Sequence, residues 1–313
     1  MQISGLRRYF EMGRGRVLRA VDGVSLDLDE GTVTGLVGES GSGKSTLGKT
    51  AIGLLDKSGG EVLFRGRTLP ARYGARDFRR QLRDIQMIFQ DSHGSLNPRL
   101  TVREIIREPL ELAAGLPSAQ QRAQVEQALV RVGLSPEHLG RYPHELSGGQ
   151  RQRVGIARAL VAEPKFVVCD EPLSALDVSV QAQIANLLME LQESLALTLL
   201  FIAHDLSIVR HITDRVAVMY FGVVVEEGAT RDVYYTPAHP YTQALISAQP
   251  HPGPTRERHR AHVAVRGEPT YPLNASGCRF AARCPQALER CRLETPVLRE
   301  LGSGHRAACH LLS

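Results

Sequence analysis

Three short apolar runs, each ending abruptly in a polar cluster, constrain this chain more than any other feature. They are Thr32 to Val37 before GESGSGKST, Lys165 to Cys169 before Asp170-Glu171-Pro172, and Thr198 to Ala203 before His204-Asp205. Runs of this length, rich in Val, Ile, Leu and Phe and without alternation, fit strands buried on both faces, as in a parallel sheet. Ligands of open α/β sheets bind beyond the carboxyl ends of such strands, so the three clusters are expected to converge on one site.

Helical patterns separate the runs. Ser147 to Ala162 leads into Pro164, and Val180 to Leu195 sets Ile184, Leu187, Leu188 and Leu191 at three- and four-residue spacing. From Asp91 to Pro143 there is no strand signal but several amphipathic stretches, such as Ala119 to Val132, which reads as a helical insertion. After Gly228 the prolines at 237, 240, 250, 252, 254, 269 and 272 mark a loop-rich extension.

At 313 residues the chain is long enough for one large or two unequal domains. No apolar run approaches the ~18 residues a membrane span needs, and the N-terminal MQISGLRRYFEMGRGR lacks the apolar core of a secretion signal, so a cytosolic location is expected. The net charge of +5 comes from the tail, where His251 to Ser313 holds ten Arg against five acidic residues. Those arginines are scattered singly, which fits a solvated face better than a nucleic-acid or lipid patch.

Gly38-Glu39-Ser40-Gly41-Ser42-Gly43-Lys44-Ser45 satisfies G-x-x-x-x-G-K-[ST] between a strand and a helical run. Its glycines let backbone N–H groups wrap phosphates, Lys44 meets the β- and γ-phosphates, and Ser45 can ligate Mg²⁺. Thr46 follows at the helix start. Asp170 can hold Mg²⁺ through its water shell, and Glu171 offers a carboxylate to the water that attacks the γ-phosphate. These two elements alone do not separate kinases, GTPases and transport ATPases.

Leu146-Ser147-Gly148-Gly149-Gln150 does separate them, because here the chain resembles the ABC ATPase family, whose LSGGQ signature stands without a change. The resemblance implies a P-loop NTPase (RecA-like) α/β fold with a mixed, largely parallel sheet and an antiparallel β region. It implies an ATPase domain over 1–233 with a helical subdomain near 91–160, and a small Cys-containing extension over 234–313. A serine-led helix start also exposes N–H groups that can bind phosphate, and in the family that site faces the P-loop of a second subunit. Gln90 matches the Q-loop glutamine that contacts Mg²⁺ or water, Ser174-Ala175-Leu176-Asp177 the D-loop, and His204 the switch histidine at the γ-phosphate. The family's adenine-stacking aromatic is missing, since Gly15, Arg16, Val17 and Leu18 stand in its place, with Tyr9 and Phe10 farther off.

QDSHGSLNP from Gln90, EPLSALDVSVQAQI and His239-Pro240-Tyr241 look like the ATPase subunits of dipeptide and oligopeptide permeases, a group whose pattern nickel importers share. This implies ATP hydrolysis that energises peptide import, a second ATPase subunit that is a relative or an identical copy, two membrane permease subunits and an extracytoplasmic solute-binding protein. It also implies a peripheral site on the cytoplasmic face of the inner membrane and no nucleic-acid partner. The rival, a nucleic-acid clamp of the same family, would carry a long coiled coil or two ATPase units in one chain, and a small-molecule P-loop kinase would lack LSGGQ.

Cys278, Cys284, Cys291 and Cys309 lie in the tail, while Cys169 sits in an apolar run and reads as core. Their spacing lacks the C-x₂-C pairs of common zinc sites, and clustered thiols in a reducing compartment suggest metal binding or nothing. The permease ATPases carry this pattern, and some members hold a [4Fe–4S] cluster, which is the expectation here over zinc or free thiols.

Overall fold

The structure is a computed structural model and describes residues 1–13, 15–91, 94–113, 116–174, 176–248, 265–268, 271 and 276–312. Ser92 and His93 of the QDSHGSLNP stretch, Ala175 of the D-loop run and the prolines at 250, 252, 254, 269 and 272 lie outside the described residues.

The chain opens with β1 (Gln2–Glu11), β2 (Val17–Asp27), β3 (Val33–Val37), α1 (Lys44–Ala51), β4 (Gly59–Phe64), β5 (Arg67–Thr68), α2 (Ala75–Gln81) and β6 (Ile85–Ile88). There follow α3 (Val102–Leu112), α4 (Ser118–Arg131), α5 (Gly148–Leu160), β7 (Phe166–Asp170), α6 (Val178–Leu195), β8 (Thr198–Ala203) and α7 (Leu206–Ile212). It closes with β9 (Arg215–Tyr220), β10 (Val223–Ala229), α8 (Thr230–Tyr235), α9 (Pro240–Ser247), α10 (Arg290–Leu293), β11 (Arg299–Gly302) and β12 (His305–Ala307). Among the described residues no strand interrupts the stretch from β6 to β7, so the insertion is helical as its sequence pattern requires.

Two units divide these elements. One comprises 1–27, 34–71 and 203–313. Its antiparallel sheet runs in the order β2-β1-β4-β5. In the same unit β3 lies parallel to β9, with Thr34 opposite Arg215, and β9 turns into antiparallel β10 through Phe221 and Gly222. Both turn residues have positive φ, 39° and 87°, the geometry that matches the twist of a two-residue hairpin. β12 then pairs antiparallel with β10, and β11 with β12. The sequence marks this tail as a loop-rich extension and gives no sign of the hairpin. RELG and HRA contain no β-branched residue, so the hairpin exists through its pairing with β10 rather than through propensity.

The other unit comprises 28–33 and 72–202. Here β6, β7 and β8 are parallel, with Ile88 opposite Cys169 and Cys169 opposite Phe201. Every residue of β7 and β8 is buried, as the unbroken apolar runs demand, and each large side chain so placed contributes about 1.5–3 kcal/mol. Ser147 caps α5, and its hydroxyl accepts from the Gln150 N–H at 3.3 Å. On α6, Ile184, Leu187, Leu188 and Leu191 form the buried stripe their spacing called for.

Candidate functional site

In the first unit β3 delivers the chain into the turn 38–43, and α1 starts at Lys44. Two of the turn's glycines are fixed by close approach as well as by positive φ. A Cβ on Gly38 (φ +155°) would lie 2.1 Å from the Met219 carbonyl oxygen, and one on Gly43 (φ +103°) 2.1 Å from that of Ala20. The Gly222 N–H donates to the Ser42 carbonyl at 2.8 Å, so the β9–β10 turn buttresses the loop.

Lys44 is only 4% exposed. Its Nζ donates to the carbonyls of Gly38 at 2.7 Å and Glu39 at 3.0 Å and approaches Ser42 Oγ at 3.4 Å. The ammonium therefore sits inside its own loop, where three oxygens surround it. Glu39, expected among the phosphate-binding residues, has its N–H engaged elsewhere, donating to Tyr241 Oη at 2.8 Å. Its carboxylate accepts from Arg283 Nη1 at 2.7 Å.

In the second unit the pairing of β6 and β7 sets the chemistry. Because Ile88 lies opposite Cys169, Gln90 and Glu171 emerge side by side two residues on, and Gln90 Nε2 donates to Glu171 Oε2 at 2.9 Å. Asp170, one residue earlier, is 1% exposed. Glu171 holds a φ of +44°, a left-handed conformation that non-glycine residues adopt at a cost of about 1–3 kcal/mol and that recurs at active sites. Its N–H donates to the Ile202 carbonyl at 3.1 Å.

Leu146 is buried and anchors the signature, while Ser147 at the tip of α5 is exposed. The Ser147 N–H donates to Gln150 Oε1 at 2.9 Å, which closes a capping box that fixes the direction of the helix start. A Cβ on Gly149 would meet Val180 Cγ1 at 2.8 Å, so the first turns of α5 and α6 need glycine at their contact. Asp177 stands at the N-cap position of α6 without a capping bond from its side chain, and Ser174 Oγ donates to the Glu171 carbonyl at 3.1 Å, tying the D-loop run to the glutamate. His204 follows β8 immediately and is exposed.

Near the missing adenine-stacking position, Phe10 lies opposite Leu18 and Tyr9 opposite Arg19 across β1 and β2. Tyr9 donates its hydroxyl to Asp22, and Arg8 covers the Phe10 ring at 4.4 Å. Both aromatics thus have partners within the hairpin.

Burial pushes the Cys278 thiol up to about 11, with the nearby Cys291, Cys309 and Cys284 adding to the effect. The Cys278 N–H donates to the Cys291 carbonyl at 2.7 Å. All four tail cysteines are unbridged. Yet among the described residues no group of three or more His, Cys, Asp or Glu could hold a metal ion as placed, so this geometry lends the expected cluster no support. Cys169 is wholly buried, and burial pushes its thiol up to about 12, the mark of a core residue.

Sequence reasoning missed Tyr241 and Arg283 as neighbours of the phosphate loop. His239-Pro240-Tyr241 stood out only as a family mark, and Arg283 is one of many scattered arginines. No local pattern reports a contact across 202 or 244 residues.

Comparison with known proteins matches residues 21–174 to the family described as ABC transporter, and residues 225–291 to that described as oligopeptide/dipeptide transporter, C-terminal region. The oligopeptide transport ATP-binding protein OppF of Salmonella typhimurium is 49% identical, with 99% of this chain and 95% of OppF covered. AppF of Bacillus subtilis, also named as an oligopeptide transport ATP-binding protein, is 47% identical over 100% of this chain and 97% of its own. Among solved structures, the ATP-binding cassette MJ0796 in a dimeric post-hydrolysis state with ADP and Pi superposes with a TM-score of 0.67 at 28% identity, covering 74% of this chain and 98% of that one. For cbiO1 from Clostridium perfringens the TM-score is 0.66 at 31% identity, covering 75% and 90%.

Proposed function

Because the chain belongs to the ABC transporter ATPases and carries the C-terminal region of the oligopeptide and dipeptide transporters, we propose that it is the ATP-hydrolysing subunit that energises peptide import through separate membrane subunits. The observation that carries the catalytic part is the register of β6 and β7, which holds Gln90 against Glu171 beside the end of β7. Among the described residues no helix is long and apolar enough to cross a membrane, so the path for solute belongs to partner subunits.

Residues 38–46 bind the triphosphate of ATP. Lys44 exchanges its carbonyl partners for phosphate oxygens, which also accept hydrogen bonds from backbone N–H groups at the start of α1. Ser45, Asp170 and Gln90 are the proposed ligands, direct or through water, for Mg²⁺, which when bound neutralises charge on the β- and γ-phosphates. Glu171 takes the proton of the attacking water, Gln90 holds the carboxylate in place, and His204 steadies that water at the γ-phosphate. Leu146 to Gln150 present a helix start to the nucleotide held by a second ATPase subunit, identical or related, and Asp177 crosses toward it. The complete system adds two transmembrane permease subunits and an extracytoplasmic binding protein, with this chain peripheral on the cytoplasmic face of the inner membrane. The domain boundary near 233 and the helical subdomain near 91–160 belong to the same reading.

The four tail cysteines form the finer part of the proposal. Cys278, Cys284, Cys291 and Cys309 would be the four thiolates of a [4Fe–4S] cluster, which would staple the proline-rich tail. Visible absorption of anaerobically purified protein tests this, and a colourless, iron-free sample rejects it.

Reconstitution with the neighbouring permease subunits and binding protein in proteoliposomes tests the function itself. Peptide-loaded binding protein should stimulate ATP hydrolysis several-fold. Stimulation by a nickel chelate and not by peptide would move the chain to the nickel importers of the same group, and no response to either would reject an importer.

A further inference from the structure

The segment between Cys278 and Cys284 reaches back to the phosphate loop of its own unit. Its turn is closed by the N–H groups of Arg283 and Cys284, which both donate to the Phe280 carbonyl at 2.9 Å. The Phe280 ring, 1% exposed, packs against Tyr220 and Tyr241, each 5.3 Å away between centroids. From this anchored turn Arg283 extends to Glu39 at 2.7 Å, with side-chain exposures of 12% and 30%. The charge-assisted bond is thus largely shielded from water.

Three bonds converge on Glu39. Its N–H is held by Tyr241 Oη, its carbonyl by Lys44 Nζ and its carboxylate by Arg283. A peptide group is planar and trans, so fixing the Glu39 carbonyl also fixes the direction of the Ser40 N–H. The Glu39 N–H bond, with Lys44 on the Gly38 carbonyl, fixes the preceding plane in the same way. The peptide group before Glu39 is therefore oriented by Tyr241, 202 positions away, together with Lys44, and the one after it by Lys44, while Arg283 fixes the Glu39 side chain between them, at the point where the phosphate cradle begins.

We propose that Arg283 and Tyr241 are positioning residues for ATP binding, through which the cysteine-bearing tail holds the entrance of the phosphate cradle in its working orientation. The inference rests on the reading that residues 38–46 bind ATP. Neither side chain needs to touch the nucleotide, and the tail is a working part of the nucleotide site of its own chain.

ATP titration of the full chain by calorimetry, together with steady-state hydrolysis, tests the proposal on Arg283→Met, Arg283→Lys, Tyr241→Phe and Glu39→Ala, with Arg290→Met as a control in the exposed part of the tail. Arg283→Met should weaken ATP binding about tenfold, raising KM by a similar factor with kcat changed less than twofold. Arg283→Lys should recover most of the loss, Tyr241→Phe should weaken binding a few-fold, and Arg290→Met should leave it unaltered. In the Glu39→Ala background, Arg283→Met should have no further effect. Unchanged affinity in Arg283→Met, or a full additional loss in that background, overturns the proposal, as does a fall in kcat at constant KM. If Arg283→Met fails to fold, Glu39→Ala decides by the same measure, equal affinity to wild type overturning the proposal. A wild-type chain that does not bind ATP would instead reject the nucleotide-site reading, and this inference with it.

Discussion

Gln90 and Glu171, 81 positions apart in sequence, are joined by a hydrogen bond of 2.9 Å because two parallel strands set Ile88 opposite Cys169. The amide donates and the carboxylate accepts. A carboxylate held this way needs no search for its orientation.

Glu171→Gln is expected to bind ATP and accumulate as a closed dimer while turnover falls by about 10²-fold or more, the usual contribution of a positioned general base. Size-exclusion chromatography with ATP and a phosphate-release assay measure the two effects. Full turnover in this variant would remove Glu171 from its assigned role.

Lys44→Ala should lose ATP binding by about two orders of magnitude, since a cation in contact with phosphate oxygens supplies ~1.5–3 kcal/mol. The same change also strips a donor from the carbonyls of Gly38 and Glu39. A modest drop in melting temperature should therefore accompany the loss, and binding within threefold of wild type would contradict the assignment.

Gly149→Ala places a methyl group 2.8 Å from Val180 Cγ1, too close without a shift of one helix. A cost of about 1–3 kcal/mol is expected in urea unfolding. Val180→Ala should relieve most of it in the double variant, and additive losses would show that the clash is not the cause.

His239 caps α9 by accepting the Tyr241 N–H on Nδ1 at 3.0 Å, so the folded protein needs the neutral ring. Burial lowers its pKa from 6.5 to about 4. Between these values the unfolded chain binds the proton and the folded one does not, so stability is complete above pH 6.5 and declines as pH falls toward 4. The loss from this group should reach about 3 kcal/mol. His239→Asn keeps an acceptor that does not titrate, so its stability should fall less steeply over that window. Parallel denaturation curves for the two proteins would count against this account.

Much of the site could be read in advance because its chemistry is local. Gly38 to Thr46, the proposed phosphate loop, would bind through consecutive backbone groups, and Ser147 to Gln150 form a cap within four residues, so both leave contiguous signatures. The unbroken apolar character of β7 and β8 reported their burial on both faces. The tail hairpin escaped notice because β11 and β12 gain their stability from β10 and not from their own composition. Arg283 and Tyr241 escaped because an ion pair or a single hydrogen bond leaves no periodicity. The adenine surface was seen only as a gap, because Gly15 to Leu18 hold no aromatic residue.

Burial of the Lys44 ammonium among oxygens of its own loop has a thermodynamic consequence. The cost of dehydrating that cation is met when the chain folds, so it does not recur when a triphosphate arrives. Exchange of carbonyl oxygens for phosphate oxygens conserves the number of partners and exposes little new surface. Titration calorimetry at several temperatures should accordingly give an association enthalpy at the isolated subunit that changes only gently with temperature, whereas pairing with a second ATPase subunit, which buries apolar area, should steepen that dependence.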